Sequence, residues 1–164
     1  MKKLAITIGD PGGVGPEIIV KALSSSEVRH QCVPIVIGDE SVLKESLGLL
    51  KNPLRLRIIK TPKDSKPDKR IIELIHVIPP HPPLKKGGIK KGDLVKGGLS
   101  MEEISKGLRE DSKRNLFIKN KPTTDGGRAC VSYIKKAVEL ALDKKVDGIV
   151  TAPISKEALK MAGF

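Results

Sequence analysis

Leu4-Ala5-Ile6-Thr7-Ile8-Gly9-Asp10-Pro11-Gly12-Gly13-Val14-Gly15-Pro16-Glu17-Ile18-Ile19-Val20 reads as a strand, a glycine turn and a helix. Leu4 to Ile8 has the apolar composition of a strand buried in a parallel sheet, and Gly9 ends it. Pro16 suits the first helical position, where no amide hydrogen is needed, and Glu17 sets a negative charge against the positive end of the helix dipole. Four glycines within residues 9–15 leave the backbone bare enough for a ligand to approach closely. Free amides at the helix start make an anion one candidate ligand. The register matches neither G-x-G-x-x-G nor G-x-x-x-x-G-K-[ST], and Asp10 and Glu17 would repel an anion. A tight βα turn with no ligand is therefore the competing reading.

Outward from this turn, the first helix runs from Pro16 to about Leu23, and Ser24-Ser25-Ser26 marks its end. Val33 to Gly38 reads as a second buried strand, and Asp39 to Ser41 cap a short helix that runs to Leu47 and stops at Gly48. This βαβα order implies parallel strands with helices packed on both faces of the sheet. Leu54 to Ile59 alternates like a half-exposed edge strand, and Ile71 to Ile78 forms another strand, with Thr61 to Asp68 as a loop between them. Pro79-Pro80-His81-Pro82-Pro83 cannot join a ladder and reads as a rigid polyproline-like connector. Residues 84–121 differ in composition, with eleven Lys/Arg against five Asp/Glu and two glycine pairs, and are expected to be a peripheral basic insertion. Within them Ser100 to Glu103 forms a capping box, with Met101, Ile104 and Leu108 on one helical face.

Thr123-Thr124-Asp125 then open an amphipathic helix whose apolar stripe is read as Cys130, Val131, Ile134, Ala137, Val138, Ala141 and Leu142, ending near Lys145. Val146 to Val150 is expected to be a buried strand, and Thr151-Ala152-Pro153-Ile154-Ser155-Lys156 leads into a helix from about Glu157. Ligands of open α/β sheets bind beyond the carboxyl ends of strands, where Thr151, Ser155 and Lys156 would sit. A hydroxyl and an ammonium there suit a phosphorylated or carboxylated small molecule. The expected organisation is an N-terminal α/β portion over residues 1–122, with its basic insertion, and the start of a second α/β domain over 123–164.

Composition narrows the classes. The 164 residues suffice for a core, which must be aliphatic because aromatics are 2% of the chain. No apolar run is long enough to span a membrane, and Met1-Lys2-Lys3 with its short apolar continuation does not make a signal peptide, so a cytoplasmic location is expected. Cys32 and Cys130 match no metal or redox spacing and are expected to be buried free thiols. His30, His76 and His81 are too scattered for a metal site and are read as structural or surface residues. The net charge of +12 admits an anionic or nucleic-acid partner. The scarcity of aromatics counts against nucleic acid, and a lysine-rich solvated surface is the plainer reading.

Two segments, Ile6 to Ile18 and Val150 to Leu159, together with the helix start Gly127-Arg128-Ala129 between them, resemble the 4-hydroxythreonine-4-phosphate dehydrogenase family. That family is similar to the isocitrate and isopropylmalate dehydrogenases, so the resemblance implies that α/β fold, with a mostly parallel sheet, in a two-domain homodimer with an interdomain active site. It also implies oxidation of 4-phosphohydroxy-L-threonine by NAD or NADP with a divalent metal, followed by decarboxylation, in pyridoxal phosphate synthesis. Asp10 and Gly12 are then expected at the cleft floor, and Thr151 and Lys156 near the substrate or partner subunit.

Departures from the family pattern are Gly13 where alanine is usual, Ser155 where asparagine is common, and a longer basic stretch. The family's Gly-His-Thr-Glu segment and metal-binding histidines follow the equivalent of Ala162-Gly163-Phe164. No residue here is assigned as a metal ligand or given a catalytic role, and the chain is expected to be an incomplete, inactive N-terminal portion. Two other readings stand beside this one: a non-catalytic anion- or nucleic-acid-binding protein, and a scaffold half that pairs with a separate C-terminal chain.

Overall fold

The computed structural model describes residues 1–51, 54–79 and 117–164. Apolar runs alternating with amphipathic segments give β1 (Lys2–Thr7), α1 (Gly15–Ser24), α2 (Ser26–Gln31), β2 (Cys32–Gly38), α3 (Glu40–Leu47), β3 (Arg55–Ile58), a 3-10 turn at Pro62–Asp64, β4 (Ile71–His76), α4 (Thr124–Leu142), β5 (Gly148–Thr151) and α5 (Lys156–Met161). The five strands form one sheet in the order β3-β4-β2-β1-β5, and every pairing is parallel. In register, Ile6 stands between Val36 and Val150, and Thr7 between Ile37 and Thr151.

The order of strands decides where a ligand could sit. The chain moves from β1 to β2 on one side, whereas the connection from β4 to β5 crosses back over β2 and β1. Parallel crossovers are right-handed, so these opposite directions put α1 and α4 on opposite faces of the sheet. Neighbouring strands β1 and β5 are thus the place where the order reverses, and it is beyond the carboxyl ends of strands at such a point that open α/β sheets bind ligands.

The core is aliphatic, as its composition requires: Ile8, Ile35, Ile37, Leu43 and Leu74 are fully buried, and Tyr133 is the bulkiest buried side chain. Burial of such side chains contributes roughly 1.5–3 kcal/mol each. On α4 the buried residues are Gly126, Gly127, Ala129, Cys130, Tyr133, Ala137 and Leu140, while Val138 and Leu142 are exposed. The apolar stripe read from the sequence is therefore rotated. Helix spacing alone also fits Val138 and Leu142, but the small residues Gly126, Ala129 and Ala137 allow the closest approach to the sheet, and they define the inward face.

Other differences are local. Ser24 to Ser26 both end α1 and begin α2, because Ser24 Oγ donates to the Val20 carbonyl and Ser25 accepts from the Glu27 amide. β5 has the composition of an interior strand but lies at the sheet edge, with Ile149 and Val150 exposed. β5 pairs with β1 in the one sheet, and residues 1–80 and 117–164 make one compact unit. The proline run beyond Pro79, the capping box at Ser100 and most of the basic stretch lie outside the described residues. Cys32 and Cys130 are buried free thiols, and His76 Nδ1 accepts the Glu40 amide at the start of α3, a structural role.

One charge is buried in the sheet. Glu73 on β4 is 3% exposed, and its carboxylate accepts from Ser65, from Arg57 and from the Lys66 amide. Burial pushes its pKa up, but the Ser65, Arg57 and Lys66 hydrogen bonds and the Arg57 charge outweigh this and hold it below the ordinary 4.5. A depressed folded pKa contributes stability above the unfolded value that is lost as pH falls through the folded one. Glu73→Gln should therefore cost roughly 2–3 kcal/mol at neutral pH and lose this disadvantage progressively as pH falls below 4.5. Urea denaturation of both proteins across that range checks this; parallel pH curves would contradict it.

Candidate functional site at the carboxyl ends of β1 and β5

Leaving β1, the chain keeps to the sheet for one more residue, since the Ile8 amide donates to the Ile37 carbonyl at 3.1 Å. Gly9 then takes φ +71°, a conformation that side-chain-bearing residues rarely adopt. A Cβ placed on it would stand 2.2 Å from the Pro153 carbonyl oxygen, so the turns after β1 and β5 meet backbone to backbone. The Asp10 amide donates to that same oxygen at 3.1 Å, and the Ala152 amide donates to the Thr7 carbonyl at 3.0 Å.

The other glycines follow suit. A Cβ on Gly15 would lie 2.3 Å from the Ile8 carbonyl oxygen, and one on Gly12 would lie 2.7 Å from that of Ile118. The segment around Ile118 also donates its Asn120 amide to the Gly12 carbonyl at 2.8 Å. Gly13 differs, its nearest neighbour being the Asp10 side chain at 3.4 Å. At Gly9, Gly12 and Gly15 the expected room for a ligand is thus filled by the protein's own carbonyl oxygens. These add partial negative charge to Asp10 and Glu17, which disfavours an anion at this turn.

Asp10 is 7% exposed, and its Oδ1 accepts the Gly12 amide at 3.0 Å. The same oxygen lies 3.1 Å from where a Cβ on Gly126 would be, in the first turn of α4. A carboxylate there faces the positive end of the helix dipole, which accounts for an acidic residue inside a glycine turn. Thr123 caps α4 by accepting the Gly126 amide at 2.9 Å. Gly127 lets α5 pack on α4, since a Cβ on it would stand 2.1 Å from the Ala158 carbonyl oxygen.

On the other turn, Thr151 ends β5 and is exposed, as is Lys156 in the first turn of α5. Ser155 is the N-cap of α5 and accepts the Ala158 amide at 3.1 Å. The structure joins the two turns through Gly9, Asp10 and Pro153; the Asp10 carboxylate points to Gly12 and α4, and Thr151 and Lys156 lie on the β5 side. Sequence reasoning missed the Ile118–Asn120 contact; Asn120 takes φ 57°, a left-handed conformation asparagine tolerates, and that residue type was the only signal in the sequence. It also missed Thr7 and Tyr133, both fully buried with hydroxyls that have no hydrogen-bond partner among the described residues. Burial first, then Asp39, Cys130 and Asp10, keeps the Tyr133 phenol protonated, and burial with Asp10 pushes the Cys130 thiol up to about 11.

A cavity of about 210 Å³ opens at the other end of the sheet, by the starts of β2 and β4, lined by Arg29, Cys32, Pro67, Asp68 and Glu73 among others. It lies away from the strand carboxyl ends, and Arg29 and Glu73 are held by hydrogen bonds there. Among the described residues no three His, Cys, Asp or Glu side chains come together as a metal donor set. These residues do not fit a divalent metal on their own. No helix among them is long and apolar enough to cross a membrane.

Substitution by alanine separates a packed turn from a ligand loop. Gly9→Ala and Gly12→Ala should each destabilise the protein by roughly 2–4 kcal/mol, through strain or a carbonyl clash, whereas Gly13→Ala should stay within about 0.5 kcal/mol. Chemical denaturation measures all three; equal, small effects would contradict the packing assigned to Gly9 and Gly12.

Known proteins fit this arrangement. The family model described as pyridoxal phosphate biosynthetic protein PdxA matches residues 30–164. The chain is 34% identical to a D-threonate 4-phosphate dehydrogenase of Cupriavidus necator over 98% of its own length and 38% of that protein's. It is also 34% identical to a 4-hydroxythreonine-4-phosphate dehydrogenase of Trichlorobacter lovleyi, over 98% of this chain and 39% of that one. Crystal structures of 4-hydroxythreonine-4-phosphate dehydrogenases superpose on 99% of the chain. That from Burkholderia phymatum does so with TM-score 0.72, 29% identity and 39% of its own chain covered. That from Klebsiella pneumoniae gives 0.71, 28% and 40%. The chain spans about two fifths of the length of these relatives. A parallel α/β sheet whose β1 and β5 turns meet at the point of strand reversal, matched along nearly its whole length by such proteins, belongs to the PdxA family.

Proposed function

We propose that this chain forms part of an NAD- or NADP-dependent dehydrogenase that oxidises and decarboxylates 4-phosphohydroxy-L-threonine in pyridoxal 5'-phosphate synthesis. The observation that carries the reading is the meeting of the β1 and β5 turns at the reversal of strand order, in a chain whose relatives are named for dehydrogenation of 4-hydroxythreonine 4-phosphate or D-threonate 4-phosphate. Both names describe a four-carbon acid phosphorylated at its far end. In 4-phosphohydroxy-L-threonine the hydroxyl to be oxidised is β to the carboxylate, so hydride loss to the nicotinamide leaves a β-keto acid that releases carbon dioxide. Asp10 and Gly12 form the crevice floor in this reading, and Thr151 and Lys156 line its β5 side, with Lys156 as a point charge for phosphate or carboxylate. A divalent metal would take ligands from outside the described residues.

The protein acts in the cytoplasm in this reading, as a homodimer or with a complementing chain that supplies the rest of the relatives' length. The edge strand supports a partner. Ile149, Val150, Ile154, Met161 and Phe164 are all more than a third exposed, although a parallel strand of such composition is ordinarily covered.

The test combines the 164-residue chain, either coenzyme, a divalent metal and each of the two phosphorylated acids. No reduced coenzyme should form with the chain alone, and addition of the portion of a relative that this chain does not span should restore turnover. In that complemented enzyme Lys156→Ala should raise the KM for substrate roughly tenfold or more, the loss of one charge-assisted hydrogen bond, without altering the fold. Turnover by the isolated chain contradicts the proposal, and unchanged kinetics remove Lys156 from the site.

A further inference from the structure

We propose that Asp10 is a positioning residue, which locks the β1 turn onto the first turn of α4 and thereby fixes where the β5 turn stands. The inference rests on the dehydrogenase reading only for its consequence, that Asp10 shapes the crevice without touching substrate or coenzyme. Its carboxylate faces inward at 7% exposure and closes the turn on the Gly12 amide at 3.0 Å, while the Asp10 carbonyl accepts the Gly13 amide at 3.0 Å. The approach to α4 is tight at Gly126: a Cβ there would press on both Asp10 Oδ1 and Thr123 Oγ1, at 3.1 and 3.0 Å. Gly126, in the first turn of the helix, leaves room where the carboxylate arrives, as the adjacent Gly127 leaves room for α5.

Asp10 also faces the opposite way through its backbone. Its amide holds the Pro153 carbonyl at 3.1 Å, and the Gly12 that its side chain fixes is held from the far side by the Asn120 amide at 2.8 Å. Three segments therefore converge on residues 10–12 of the β1 turn: the start of α4, the β5 turn and the strand-less stretch 118–121. Displacing the carboxylate frees Gly12, and the movement passes through the Asp10 amide to Pro153 and on to Ser155, the cap of α5. Thr151 and Lys156 are positioned in this way without any contact to the Asp10 side chain.

Amide hydrogen exchange by NMR on the 164-residue chain tests this without substrate or coenzyme, so its outcome is independent of whether the dehydrogenase reading holds. Asp10→Ala should speed exchange of the Gly12 amide at least tenfold and shift the Ile154 and Ser155 resonances, leaving the Val36 and Leu74 amides of β2 and β4 at their original rates. Asp10→Asn keeps an oxygen for the Gly12 amide and should hold its exchange within about threefold, with Ile154 and Ser155 in place. Should Asp10→Ala fail to fold, Gly126→Ala, which only crowds the carboxylate, should speed Gly12 exchange several-fold and shift the same two resonances. Unchanged Gly12 exchange in the variants that fold overturns the proposal. So does an Asp10→Asn protein as disturbed as the alanine variants, or a loss of protection spread evenly over the sheet.

Discussion

The close approach of backbone carbonyl oxygens to glycine α-carbons at the carboxyl ends of β1 and β5 is the constraint on which the arrangement depends. Side chains at Gly9 and Gly15 would collide with Pro153 and Ile8, and one at Gly12 would collide with Ile118. With hydrogen there, the turns after two adjacent strands interlock, and the Asp10 amide and carboxylate add directed hydrogen bonds to that contact. A parallel sheet offers no hairpins to hold neighbouring strand ends together, so contacts between βα turns supply that constraint. The same geometry explains why acidic residues are tolerated in a motif that superficially invites phosphate.

Much of this was legible in the residues. The alternation of apolar strands with amphipathic helices gave the parallel α/β fold, and the two strand-to-helix junctions, after β1 and β5, lie at one end of the sheet. The cap of α3 within Asp39 to Ser41 followed from side-chain chemistry alone. The contacts that give the glycine turn its meaning were not legible, because they are long-range: Gly9 with Pro153, Gly12 with Ile118, Asp10 with Gly126. Bare backbone suits a ligand and a neighbouring carbonyl equally well, and only the positions of the distant segments decide between them. The α4 stripe failed for a related reason, since Val138 and Leu142 satisfy the helical period but the small residues choose the face.

The family relationship and the geometry bear on different parts of the account. Membership of the PdxA family follows from a match running through most of the chain. The chemistry proposed for the crevice depends on groups in the remaining length of the relatives, since the described residues offer no metal donor set. What they do offer is a closely packed joint with the exposed Thr151 and Lys156 on one side of it, and an exposed apolar β5 edge. A joint of this kind contributes to catalysis by holding the reacting groups in one geometry, rather than by acting on the substrate itself.

The central claim is that the glycine turn is occupied by the protein's own backbone rather than shaped to receive an anion. It is tested most directly by titrating the isotopically labelled chain with inorganic phosphate and following the amide resonances of Gly12, Gly13 and Gly15. The account predicts no saturable shift at these amides; a saturable shift confined to them would contradict it.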